Sequence, residues 1–165
     1  MKKSVNELNS DLFDNEEDKF SDPTYARKKA MDFLALREYG QKELILKLQS
    51  KGFSSDISTI IVEKLTDDGL QDDQRFAESY VRSRIAQGKG PMRIHYELEQ
   101  KKMPSNIIQS VIEDTNTDWI ALAEEVKMRK FGEKVPENIK DKAKQTRFLY
   151  SRGFSNEQIR KVLKS

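Results

Sequence analysis

A spacing of about fifty residues recurs through this chain of 165 residues and limits what it can fold into. Shifting the sequence by 50 positions lays Gly40 on Gly90, Leu48 on Leu98, Phe53 on Met103, Ile57 on Ile107, Ile61 on Val111 and Val62 on Ile112. A shift of 101 lays Leu48 on Leu149, Gly52 on Gly153, Phe53 on Phe154, Ser54 on Ser155, Ile61 on Val162 and Val62 on Leu163. A chain that repeats one short unit builds its fold by stacking copies of that unit. Within each unit the apolar residues recur at helical spacing: Leu44, Ile45 and Leu48 share one face, as do Ile57, Ile60, Ile61 and Leu65, and Trp119, Leu122, Ala123 and Val126. No alternating strand pattern or hairpin signal interrupts them. The expected fold is therefore all-α, with three tandem three-helix repeats at 24–70, 71–116 and 117–165. Stacking predicts an elongated, curved array, right- or left-handed. A unit of this size is too small for a sizeable core, so neighbours are expected to share one. The period differs from the tetratricopeptide and ankyrin patterns.

Glycine and proline punctuate the helices. Asp22-Pro23-Thr24 provides a cap and an early proline for a helix over about 24–37. Asp72 is placed to cap a helix over 72–87, and Pro91 to stand in the first turn of the next. Ser54-Ser55, Pro104-Ser105 and Ser155-Asn156 are three versions of one helix start, each following the short turn of its repeat.

Composition removes whole classes of chemistry. There is no cysteine, which excludes disulfides, thiolate catalysis and cysteine metal sites, and a single histidine, His95, leaves no histidine pair for a metal. A charged fraction of 35% and a mean hydropathy of −0.81 leave no run long enough to span a membrane. The first residues carry no apolar run of the secretory kind, so a cytoplasmic location is expected. Charge is divided along the chain. Residues 1–23 hold three basic and seven acidic side chains, whereas 127–165 hold twelve basic and four acidic. The acidic head reads as disordered, with docking of its acidic and aromatic residues on a basic surface as the second reading. The basic tail points to a polyanionic or acidic partner.

Each candidate site has a plainer explanation beside it. Asp67, Asp68, Asp72 and Asp73 resemble a carboxylate cluster, yet they straddle Gly69 in a turn, and capping accounts for Asp72 and Asp73. Gln87-Gly88-Lys89-Gly90-Pro91 lacks the strand and the Gly-Lys-Ser/Thr ending of a nucleotide loop. It reads as a tight turn, and less readily as a helix start that holds an anion near Lys89 and Arg93. His95 reads as a half-buried, hydrogen-bonded residue. Arg84 falls on the apolar stripe of Phe76, Tyr80 and Val81, which predicts a structural ion pair between repeats. Lys140, Lys144 and Arg147 form one helical ridge, and Lys127, Arg129, Lys130 and Arg152 join it in the same repeat, interleaved with Phe131, Phe148, Tyr150 and Phe154. No catalytic constellation, metal site or cofactor motif is found.

Some of these residues carry a family resemblance. Gly69, Asp72, Asp73, Arg75, Phe76 and Ala77 precede Gly88, Gly90, Pro91, Arg93, Ile94, Glu97 and Leu98; then come Asp118-Trp119, Arg129-Lys130-Phe131-Gly132, Arg147-Phe148-Leu149 and Arg152-Gly153-Phe154. Over roughly residues 25–164 the chain resembles the RecX proteins, bacterial regulators of the RecA recombinase. It departs from them at Lys101-Lys102-Met103, where Lys-Gly is usual, and that turn is expected to be altered. The resemblance implies a non-enzymatic, monomeric protein that binds RecA–DNA filaments in their helical groove and limits filament growth, ATP hydrolysis and strand exchange, in recombination, DNA repair and the SOS response. Direct contact with single- and double-stranded DNA is a further expectation, and a general DNA-binding protein that competes for DNA is the alternative. The contact residues are expected among Arg82, Lys89, Arg93, Lys127, Arg129, Lys130, Lys140, Lys144, Arg147 and Arg152.

Overall fold

The computed structural model describes residues 19–164. Among them are nine α-helices and no strands: α1 (Pro23–Leu36), α2 (Gln41–Ser50), α3 (Ser55–Asp67), α4 (Asp73–Ala86), α5 (Pro91–Gln100), α6 (Ser105–Asp114), α7 (Trp119–Phe131), α8 (Ile139–Ser151) and α9 (Asn156–Leu163). They follow one another as three triplets. The acidic head up to residue 18, with both readings given for it, lies outside the described residues.

The helix starts obey the local chemistry. Asp22 accepts the Thr24 amide at 2.9 Å with Pro23 as the first helical residue, and Pro91 likewise stands first in α5, though Gly90 before it offers no side-chain cap. Between the second and third helices of each triplet runs one turn, repeated three times. The amide of residue 52, 102 or 153 reaches back to the carbonyl three residues before it, at 3.0, 2.9 and 3.0 Å. The next amide, of Phe53, Met103 or Phe154, reaches the carbonyl of Leu48, Leu98 or Leu149. That closure requires a left-handed backbone at its first residue: Gly52 has φ +116°, Gly153 +100°, and Lys102 adopts +60°. The substitution of lysine for glycine was expected to alter this turn. Instead the hydrogen-bond pattern is kept and Lys102 carries the strain of a side chain in the left-handed region. Ser54 and Ser155 then cap α3 and α9, while Pro104 occupies the same place before α6 without a side-chain bond.

Each triplet closes its own apolar cluster, so the expectation of a common core is corrected. Leu44, Leu48, Phe53, Ile61, Val62 and Leu65 lead the first; Phe76, Val81, Ile94, Leu98, Ile108 and Val111 the second; Leu149, Phe154, Ile159 and Val162 the third. Three short helices suffice because each buries one narrow face against the other two. Sharing runs through Trp119, the first residue of α7, whose ring packs on the second cluster. Ile60, expected on the buried face of α3, is 51% exposed; a full apolar i, i+3, i+4 stripe is wider than the face this helix buries.

The described residues divide into two compact units between Asp73 and Gln74. In the first unit, a buried polar network closes the turn after α3. Gln71, 1% exposed, donates to the Tyr39 carbonyl at 3.0 Å and to Asp73 Oδ1 at 3.0 Å, and accepts from Thr66 Oγ1 at 2.6 Å. Asp73 Oδ1 also accepts the Gln41 amide at 2.8 Å. Gly40 gives α2 no side-chain cap, so Asp73 provides one from 32 residues away. Capping of its own helix was the expected role; the carboxylate serves a different helix instead. Asp68 is paired with Arg27 at 2.9 Å, so this end of the aspartate group is structural as well.

In the second unit, the α4–α5 turn meets the α8–α9 turn backbone to backbone. Gly90 N–H donates to the Arg152 carbonyl at 2.7 Å and Met92 N–H to the Gly153 carbonyl at 3.0 Å. A Cβ on Gly90 would lie 2.4 Å from Gly153 backbone atoms, so this approach needs glycine.

Candidate partner-binding site

All ten basic candidates lie in the second unit, and the structure sorts them into different surroundings. Three converge. Asp118 caps α7 at the Ala121 amide (3.0 Å) and Asn138 caps α8 at the Asp141 amide (2.8 Å), setting the two helices whose side chains meet at Phe148. The Phe148 ring stands edge to face with Phe131, with centroids 5.3 Å apart. Lys130 Nζ lies 5.8 Å and the Arg152 guanidinium carbon 5.2 Å from the Phe148 centroid. Gln87, Val126, Arg129, Lys130, Phe148 and Arg152 enclose a shallow pocket of about 220 Å³, and no acidic residue lines it. Arg129 pairs with Glu125 one turn earlier on α7. This is a cationic pocket with an aromatic wall, suited to an anion that carries a flat or apolar part.

The ridge Lys140, Lys144 and Arg147 is exposed along α8 as its spacing predicts. It is not purely cationic, since Lys144 shares a second pocket of about 220 Å³ with Lys134, Glu137 and Asp141. The remaining candidates stand apart. Lys127 is 9% exposed and is therefore not part of an accessible face. Arg82 lines a groove of about 560 Å³ together with Glu78 and Asp114, which offset its charge. Lys89 is half-buried in the α4–α5 turn.

Arg93 is bound up in a structural hub. Glu97 Oε1 receives Arg93 Nε at 3.0 Å, while Glu97 Oε2 accepts Tyr80 Oη at 2.9 Å and lies 3.3 Å from Arg84 Nε. Burial pushes the Glu97 carboxyl up, but the hydrogen bonds from Arg93 and Tyr80 and the charges of Arg84 and Arg93 outweigh it and hold the group below its ordinary value. Burial, aided by Glu97, raises the Tyr80 phenol. The ion pair predicted for Arg84 exists, yet it joins α4 to α5 inside one triplet rather than linking two repeats. Arg84 also stacks 4.5 Å from the Tyr80 centroid and donates to Gln87 Oε1 at 2.7 Å.

Anion capture at the start of α5 is corrected by the same geometry. The Gly90 and Met92 amides are taken by carbonyls of the α8–α9 turn, so they do not face a ligand. His95 is half-buried, with Nδ1 3.4 Å from Glu99 Oε1. Neither Gln87, named only within the glycine turn, nor Glu97, named only in the family motif, was among the ten expected contact residues. A glutamate one turn after an arginine on α5 was the available signal for the hub, whereas Gln87 reaches its pocket only through tertiary packing. No helix among the described residues is long and apolar enough to cross a membrane.

Comparison with known proteins matches this arrangement piece by piece. Family models described as the first, second and third three-helix domains of RecX match residues 26–65, 72–112 and 116–163. The regulatory protein RecX of Halorhodospira halophila is 40% identical over 134 residues, covering 81% of this chain and 83% of that protein. The same-named protein of Pseudomonas entomophila is 39% identical over 141 residues, covering 86% and 91%. The crystal structure of RecX from Lactobacillus salivarius superposes with a TM-score of 0.71 at 25% identity, covering 89% of this chain and 96% of that one. A second crystal structure, of a regulatory protein RecX, superposes at 0.74 with 20% identity and shares the fold. With three successive RecX domain models matched and relatives near 40% identity over most of its length, this chain belongs to the RecX family of regulatory proteins.

Proposed function

We propose that this protein is a non-enzymatic regulator of the RecA recombinase, which binds the RecA–DNA filament in its helical groove and limits filament growth, ATP hydrolysis and strand exchange. Family membership supports the reading, and the observation that carries it is a pocket lined by Arg129, Lys130 and Arg152, in which Lys130 and Arg152 lie over the Phe148 ring and no carboxylate joins the lining. A filament groove presents acidic protein surface and DNA phosphates side by side, and a cationic pocket with an aromatic wall answers both. The ridge Lys140, Lys144 and Arg147 extends the same charge along α8. The test is a triple reversal, Arg129→Glu, Lys130→Glu and Arg152→Glu, assayed by RecA ATP hydrolysis on single-stranded DNA. Inhibition falls at least tenfold if the pocket is a contact site, and stays at the wild-type level, with helicity intact, if it is not.

A second reading, competition for DNA without contact to RecA, draws on the same Phe148, because aromatic rings flanked by cations stack nucleobases. It predicts inhibition that tracks DNA occupancy and collapses with salt as counterions are restored.

A further inference from the structure

The first unit holds an aromatic pocket that the function above does not use. Phe20, Tyr25, Phe33, Leu36 and Phe53 wall a concavity of about 320 Å³. Phe20 and Phe53 meet edge to face at 5.3 Å, and Tyr25 leans on Phe53 at 5.6 Å. Phe53 is a core residue, but Phe20, Tyr25 and Phe33 are only half covered, and Leu36 at the end of α1 is 83% exposed. Apolar side chains gathered around a concavity and left open to water mark a binding surface rather than a finished core.

The rim of this pocket is basic. Lys29 and Lys51 line it against a single carboxylate, Asp32. Lys19 and Lys29 stand 4.8 and 5.6 Å from the Tyr25 centroid, and Lys47 stands 5.5 Å from that of Phe33. A contact with a ring face holds an ammonium in place without neutralising it, so the charge remains available to a partner. The Tyr25 phenol registers this: desolvation pushes it up, but the hydrogen bonds and charges of Lys19 and Lys29 together outweigh that and bring it below its ordinary value.

We infer that this pocket docks an acidic segment of a partner protein, with one large apolar side chain seated against Phe33, Leu36 and Phe53 and flanking carboxylates paired with Lys29 and Lys51. Charge complementarity selects the acidic flanks, and the size of the cavity selects a single anchor side chain. A nucleic-acid strand fits less well, because Asp32 faces into the pocket and Leu36 offers an aliphatic edge rather than a stacking surface.

The test uses the full chain and a fluorescein-labelled heptapeptide with Phe at its centre and only Asp and Glu around it, read by fluorescence anisotropy. Saturable binding is expected, weakened about tenfold when the peptide's Phe becomes Ala, and about tenfold by Lys29→Glu with Lys51→Glu. Leu36→Glu, on a side chain exposed enough to leave folding alone, weakens it as well. Equal binding of the Ala peptide reduces the site to general charge and overturns the proposal. So does a thymidine oligonucleotide that displaces the peptide from the wild type and no longer binds the lysine variant. Self-association of the chain that Leu36→Glu abolishes would name a second copy as the occupant, and peptide binding seen only after removal of residues 1–18 would name that segment; either result overturns a partner in trans.

Discussion

Gly90 and Gly153 touch across the second unit, with the Gly90 amide 2.7 Å from the Arg152 carbonyl and the Met92 amide 3.0 Å from the Gly153 carbonyl. Two turns of different triplets are thereby held as one backbone-to-backbone clasp. Neither glycine has room for a methyl group. A Cβ at 90 meets the Gly153 backbone at 2.4 Å, and a Cβ at 153 meets the Arg93 backbone at 2.6 Å.

Gly90→Ala is therefore expected to destabilise the second unit by about 2 kcal/mol or more, since rigid backbone, rather than a movable side chain, blocks the added atom. Urea unfolding, followed by Trp119 fluorescence, measures it. A loss below about 0.5 kcal/mol would mean the clasp is looser than its hydrogen bonds indicate.

Lys102 gives the opposite prediction. It performs a glycine's task at φ +60°, so Lys102→Gly removes left-handed strain and stabilises by about 1 kcal/mol, less the extra freedom glycine gives the unfolded chain. The unfolding midpoint rises by a few degrees at most. A fall in the midpoint would show that the Lys102 side chain contributes more than its backbone costs.

Much of this fold was legible in the sequence because the repeat states each rule three times. Gly52, Lys102 and Gly153 close one turn, and Ser54, Pro104 and Ser155 open the helix that follows. Position 102 was misjudged because composition shows which residue stands there and not which dihedral it accepts. The roles of Asp73, capping α2, and of Gly90, meeting Gly153, depend on contacts over long separations, which no local pattern records. Site residues were legible as charge alone. Spacing identified the ridge on α8, but it could not reveal that Lys127 is covered, that Arg82 shares its groove with Glu78 and Asp114, or that Gln87 lines one pocket with Phe148.

Asp73 tests the long-range cap. Asp73→Ala leaves the Gln41 amide without its acceptor and Gln71 without one of its own, with a cost of about 1–2 kcal/mol. Asp73→Asn keeps an acceptor oxygen and costs less. Amide hydrogen exchange at Gln41 reads the effect directly: it should quicken in the alanine variant and stay close to wild type in the asparagine one.

The Glu97 hub predicts a pH dependence. Its folded carboxyl lies below the ordinary value of 4.5, so the stabilisation is present above that value and is lost as pH falls through the folded one. Stability of the wild type should decline with acidification below that point, and the decline in Glu97→Gln should be shallower. Parallel acid profiles for the two proteins would remove the hub from the acid response.

The proposed regulator acts on the RecA filament and not by covering DNA. RecA ATP hydrolysis on single-stranded DNA, titrated with this protein while its own DNA binding is measured in the same salt, tests it most directly. Inhibition is expected at concentrations well below those that occupy the DNA. Inhibition that begins only as the DNA saturates, or no inhibition at all, would contradict it.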